Sequence, residues 1–286
     1  MNIDFLLDTK SALGEGPVWN YKMQTLFWVD ILGKKIYSWK PDTKTFNFWN
    51  TGEFVGFVIF TKEESMLAGY KSGLHKLTLL ENNEIIAERI DCIDQDGVSV
   101  RFNDGCLDKN GGVWACTMDM DNRHNLGKYY YYNTDMTRKV VLEGYVVANG
   151  PAISPDNKIL YTVETSGNTM IRKGVYRSVL DEGGNVSDTR LLIDWAGLNS
   201  SPDGLITDKI GNLWVGEFGG NRLRCFNDDG LIIREIPLPA WNVTKCAFEG
   251  ANENILFVTS ARIGVDGNLM KRFPFTGGLL SITGLI

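Results

Sequence analysis

Short segments in which Val, Ile, Leu and aromatic residues alternate with polar ones recur along the whole chain. Stretches with the period of an amphipathic helix are nearly absent. TLFWVD, KIYSW, TFNFW, GVWACTM, KYYYYN, ILYTV, NLWVGEF, RLRCF and ILFVTS all read as strands. The clusters DKNGG, SPDNK, TDKIGN and NDDG between them supply turns. The expectation is an all-β protein.

The strands recur in a fixed order. A short apolar strand is followed by a polar turn, a strand of the type Leu–(Trp/Phe/Tyr)–Val, a Gly-containing turn and a further strand. Gly16, Gly56, Gly105, Gly150 and Gly204, with Lys245 in the sixth place, head these units at spacings of 40 to 54 residues. Six units of that size fit a radial array of small sheets. The pattern therefore predicts a six-bladed β-propeller, occupying residues 1–286 as a single domain. The strand around Ile3–Leu7 should complete the blade that begins near Lys245, and the C-terminal GGLLSITGLI should supply another strand of it. A pair of β-sandwiches is the alternative.

Composition narrows the classes. A chain of 286 residues can bury about three-quarters of its unfolded surface, so neither disulfides nor metals are needed to hold it together. The net charge of −6 leaves no basic footprint, which argues against a nucleic-acid partner. No apolar run approaches membrane-spanning length, and the N-terminus lacks the basic region of a signal peptide. Five scattered cysteines (Cys92, Cys106, Cys116, Cys225, Cys246) read as reduced thiols. The expected setting is cytoplasmic, and the expected state a monomer or small homo-oligomer.

Innermost strands of a propeller start near the axis, so equivalent residues converge there. The residue before each heading position is Glu15, Val55, Asp104, Asn149, Asp203 and Thr244. Carboxylates sharing a small central volume cannot all ionise without compensation. A hard divalent cation held by oxygen donors resolves the conflict. Asp-Gly and Asn-Gly are also ordinary turn dipeptides, so it is the recurrence at one phase of the repeat that carries the inference. At Asp104 the neighbouring Asn103 competes for the inward position. The motifs of serine hydrolases, zinc proteases and nucleotide-binding loops are absent. Of the two histidines, His75 falls in a strand as a structural residue, and His124 lies in a polar segment suited to a pocket mouth.

LGEGPVW, RFNDGCLD, ANGPAISPDNKILY, SPDGLITDKIGNLWVGEFGGNRLRCF, VTKCAF, LFVTSAR and the late GGLL resemble the gluconolactonase, regucalcin (senescence marker protein) and luciferin-regenerating enzyme family, from about Leu13 to about Ser281. The resemblance implies a six-bladed propeller with one catalytic divalent cation near the axis and hydrolysis of sugar lactones. It makes Glu15, Asn149 and Asp203 the metal ligands, Asp203 also the general base, and Arg101 and Asn103 substrate-binding residues. Asp121 falls, by a looser alignment, near an acidic substrate-binding position. Ala148 and Pro151 depart from the family's usual Ser and aliphatic residues. The ion is open among Ca²⁺, Mg²⁺, Mn²⁺, Zn²⁺ and Fe²⁺. The expected partner is a small sugar lactone, its identity set by loops such as Asp119–Gly127 and Ser166–Gly174. Two alternatives are a phosphotriesterase or fluorophosphatase using the same metal, and a non-catalytic metal-binding propeller.

Overall fold

The computed structural model describes residues 1–93, 99–250 and 252–285. Six four-stranded antiparallel sheets form a ring. Their innermost strands are Gly14–Asn20, Val55–Phe60, Val100–Leu107, Ala148–Ile153, Ser201–Thr207 and Asn242–Phe248. Each packs against the next, and the sixth packs back against the first. Five blades run outward in chain order. The sixth is closed by both ends of the chain: Asn2–Leu7 is its outermost strand, paired with Leu279–Thr283, which pairs with Ile255–Ala261 and so reaches the inner strand. That is the expected closure. One six-residue helix, Gly267–Arg272, starts at Asp266, whose carboxylate accepts from the backbone N–H groups of Asn268 and Leu269. Among the described residues, no helix is long and apolar enough to cross a membrane.

The core lies between blades. Phe27, Val29 and Ile36 of the first blade pack on Val58, Ala68 and Leu77 of the second. Trp19, Trp28 and Tyr37 on the first meet Phe257 and Leu279 of the sixth, which makes ring closure an apolar interface like the others. The turn motifs act through side chains. Asp108 in DKNGGVW accepts from the N–H groups of Asn110 and Gly112 and from Trp114 Nε1 at 3.1 Å. Asp208 in DKIGNLW does the same for Ile210, Asn212 and Trp214. One carboxylate thus closes the turn and fixes the indole of the following strand.

Every inner strand carries one irregularity at the same phase. Its pairing with the second strand slips between Glu15 and Val18, Val55 and Phe57, Phe102 and Asp104, Asn149 and Ala152, Pro202 and Leu205, and Val243 and Cys246. A bulge inserts an unpaired residue, bends the strand and re-aims its side chains. The heading glycines sit in or beside these bulges. Gly16 has φ +54°, a conformation that disfavours side chains. At Gly56 the requirement is space: a Cβ would lie 2.8 Å from the Asn103 carbonyl oxygen and nearer still to that of Phe102. Gly56→Ala should therefore push the second and third inner strands apart. The expected loss is about 2 kcal/mol in urea unfolding, of the size produced by overpacking; an unchanged midpoint would contradict this contact.

Candidate functional site

Four of the six bulges, in the first, third, fourth and fifth inner strands, aim polar side chains into one space on the axis. Glu15, Arg101, Asn103, Asn149 and Asp203 are each less than a tenth exposed, and all line one cavity of about 470 Å³ at the end where the inner strands begin. A second cavity of about 510 Å³ opens at the opposite end. It is lined by the later residues of the same strands and contains none of these five.

The polar groups form a continuous chain. Asn149 Nδ2 donates to Asp203 Oδ1 at 2.6 Å and to Thr165 Oγ1 at 3.0 Å. Asn103 Nδ2 donates to Asn149 Oδ1 and to the Ala148 carbonyl, both at 2.9 Å. Arg101 Nη1 donates to Asn103 Oδ1 at 2.6 Å and to the Phe102 carbonyl at 3.0 Å. Asn103 lies between a guanidinium, which only donates, and a carbonyl, which only accepts, so its amide has one possible orientation. That orientation fixes the amide of Asn149 in turn. Both Nδ2 hydrogens of Asn103 are used, so its side chain orients Asn149 and has no free N–H for a ligand. Nε and Nη2 of Arg101 have no protein partner among the described residues. They are the donors available to a molecule in the cavity.

Electrostatics at the floor are strained. Burial, reinforced by the charge of Asp104, pushes the Glu15 carboxyl up to about 7, against the Gly16 N–H and the Lys245 charge, which lower it. Burial and the charge of Glu15 push Asp203 well above the usual carboxylate range. The two carboxyls therefore titrate as a pair. Burial lowers Arg101 to about 10, still protonated at neutral pH. Two buried carboxyls that cannot both ionise uncompensated, beside an amide that would turn its Oδ1 from Asn103 toward a cation, offer the oxygen donors that a hard divalent cation takes. Glu15, Asn149 and Asp203 therefore fit the metal expected from the sequence.

The remaining candidates fall elsewhere. Asp104, one residue beyond the bulged Asn103, does not line this cavity; both its oxygens are 2.6 Å from Lys245 Nζ. Asp121 is exposed and does not line the cavity, although its neighbour Asn122 does. With Asp119 and His124 it forms a cluster whose ligand atoms lie within 4.8 Å of one another. The Asp119 carboxylate already accepts from the backbone N–H groups of Asp121, Arg123 and His124, and its other neighbour is the His124 ring at 3.3 Å. It serves as the staple of an exposed loop. His75 is buried, bonded to the Gly73 carbonyl and edge-on to Tyr70, as a structural residue. The sequence did not reveal the apolar collar above the polar floor: Leu13, Leu32, Phe54, Met118, Met120 and Phe218. These residues come from separate loops and strands, and no local pattern unites them.

A pH dependence follows. Folding raises the Glu15 pKa from 4.5 to about 7, so the folded chain holds a proton there that the unfolded chain has released. This contribution to stability is present below about pH 4.5 and is lost as pH rises through about 7. Melting of the chelator-treated protein should show that loss, and Glu15→Gln should reduce it. A Glu15→Gln profile parallel to that of the unaltered chain would contradict the assignment.

Comparison with known proteins agrees with this fold. Residues 13–262 match the family described as the SMP-30/Gluconolactonase/LRE-like region. A 6-deoxy-6-sulfogluconolactonase of Pseudomonas putida is 30% identical over 268 residues, covering 93% of this chain and 89% of the relative. Human regucalcin is 29% identical over 293 residues, covering 100% of this chain and 95% of the relative. A solved luciferin-regenerating enzyme superposes with a TM-score of 0.89 at 26% identity, over 99% of this chain and 95% of that one. Regucalcin from Agrobacterium tumefaciens, described as a calcium-binding protein, shares the fold with a TM-score of 0.89 at 22% identity, over 97% and 92% of the two chains. The bulged six-bladed ring, its buried oxygen donors and these matches together place the chain in the SMP-30/gluconolactonase/LRE-like family.

Proposed function

We propose that the chain is a divalent-metal-dependent lactonase that hydrolyses a sugar lactone, an aldonolactone, to the free sugar acid. The supporting observation is the meeting of Glu15, Asn149 and Asp203 in one cavity with Arg101, whose Nε and Nη2 have no partner among the described residues. The relationship to a sulfogluconolactonase adds to it.

Glu15, Asn149 and Asp203 would hold the cation, which would supply Lewis-acid polarisation of the ester carbonyl and offset negative charge on its oxygen. Arg101 donates to an oxygen of the lactone and orients the carbonyl toward the floor. Asn103 donates to Asn149 Oδ1 and so tethers that amide at the floor. Asp203 accepts a proton from the attacking water as the new C–O bond forms. When the ring C–O bond breaks, the proton passes to the departing oxygen, leaving an open hydroxy acid. The apolar residues of the collar around this floor lower the local dielectric and strengthen each polar interaction there.

The same collar favours a second reading, in which the cavity accepts phosphotriesters or fluorophosphates with apolar substituents. Their P=O group takes the place of the carbonyl. Arg101, positioned to bond ring or hydroxyl oxygens, favours the lactone.

Chelator-stripped protein should not open aldonolactones in a pH-stat assay, and divalent cations should restore turnover. Asp203→Asn should reduce it by roughly 10³-fold, within the range of a positioned general base. Metal-independent turnover, or near-normal turnover in Asp203→Asn, would overturn the assignment. Turnover confined to phosphotriesters would establish the second reading.

A further inference from the structure

Lys245 takes no part in the chemistry above, yet it is one of the most deeply placed charges in the protein, at 4% exposure. Its Nζ lies 2.6 Å from each oxygen of Asp104, three blades away across the axis. Its stem fills the space left by the missing side chain of Gly204, the residue after Asp203. A Cβ on Gly204 would lie 2.6 Å from Lys245 Cβ and 2.7 Å from Cγ and Cδ. Lys245 lines the cavity at the far end of the axis, while Glu15 and Asp203 line the near one. The ion pair therefore separates the two cavities. Burial opposes the Lys245 charge, but Asp104 more than offsets it and keeps the ammonium protonated.

Glu15, Asp104 and Asp203 act on one another electrostatically, so they share one region of low dielectric. Only Glu15 and Asp203 face the near cavity. Asp104 is the third carboxylate of the set, with both oxygens occupied by one ammonium. Affinity of an oxygen site for a divalent cation rises with the number of anionic ligands it offers.

We propose that Lys245 selects the donor set of the axial site: by binding both oxygens of Asp104, it withholds that carboxylate from a cation seated on Glu15, Asn149 and Asp203. This rests on the metal site proposed above. Lys245 is a positioning residue, acting through Asp104 and through its own charge. It sets cation affinity below what three free carboxylates would give. Without Asp104, the ammonium would be left to repel the incoming cation.

The test is a calorimetric titration of chelator-stripped protein with Ca²⁺, and with Mn²⁺ in parallel, alongside melting with and without each ion. Lys245→Met should bind about tenfold more tightly and gain more thermal stability from the ion than the unaltered chain does. Asp104→Asn should bind about tenfold more weakly. The double variant Asp104→Asn/Lys245→Met, which removes both charges, should return to within about threefold of the unaltered affinity. If Lys245→Met folds only when the ion is present, that dependence is the expected direction, and the comparison of Asp104→Asn with the double variant then decides. Unaltered affinity in both single variants would overturn the proposal, as would a double variant as weak as Asp104→Asn. Absence of ion binding in the unaltered chain would remove the metal site itself. Normal binding with an unresponsive Lys245→Met would overturn only the selector role.

Discussion

Burial of like charge on the propeller axis is the constraint on which the rest depends. Glu15, Asp104 and Asp203 come from three blades and are all at least nine-tenths buried. No arrangement of three bare carboxylates in that volume is stable, so each is compensated in its own way. Asp104 is paired with Lys245. Glu15 and Asp203 titrate as a pair, and Asp203 accepts from the Asn149 amide, an arrangement that a divalent cation can replace. One compensation is built into the chain and permanent; the other is exchangeable, and the exchangeable one is where chemistry is possible.

The ring supplies the means of paying for this convergence. Apolar clusters between successive blades hold the inner strands in place, and the sixth blade, closed by the N-terminal strand, ties the first to the last. The bulge then turns a polar residue of four of these strands toward the axis, at a position where the chain must be narrow. Gly16 and Gly56 meet that requirement by conformation and by size respectively. Arg101 and Asn103 extend the order outward. A guanidinium on one side and a carbonyl on the other fix the Asn103 amide, and through it Asn149.

Much of this was legible in the sequence because the repeat imposes the same demand six times. The heading glycines and the donors before them recur at one phase, and from it the blade count and the convergence of Glu15, Asp104, Asn149 and Asp203 followed; the narrowing to Glu15, Asn149 and Asp203 came with the family resemblance. The choice between Asn103 and Asp104 was not legible, because it depends on which residue of the third inner strand is bulged, and RFNDG permits either. Asp121 stands in an exposed loop held by Asp119, and the fold of that loop, set by three backbone N–H groups, has no signature beyond polarity. Lys245 had a signal: a charge inside the apolar run VTKCAF, at a position that elsewhere is glycine. Its meaning required the far side of the ring, since Asp104 lies 141 residues away.

The central claim is that the bulges bring the donors of three blades together as one cation site. Anomalous diffraction from crystals soaked in Mn²⁺ tests it directly. The expected result is one strong peak in contact with Glu15, Asn149 and Asp203, with Asp104 remaining on Lys245. A peak at Asp119, Asp121 and His124 with none on the axis, or no peak at all, would contradict it.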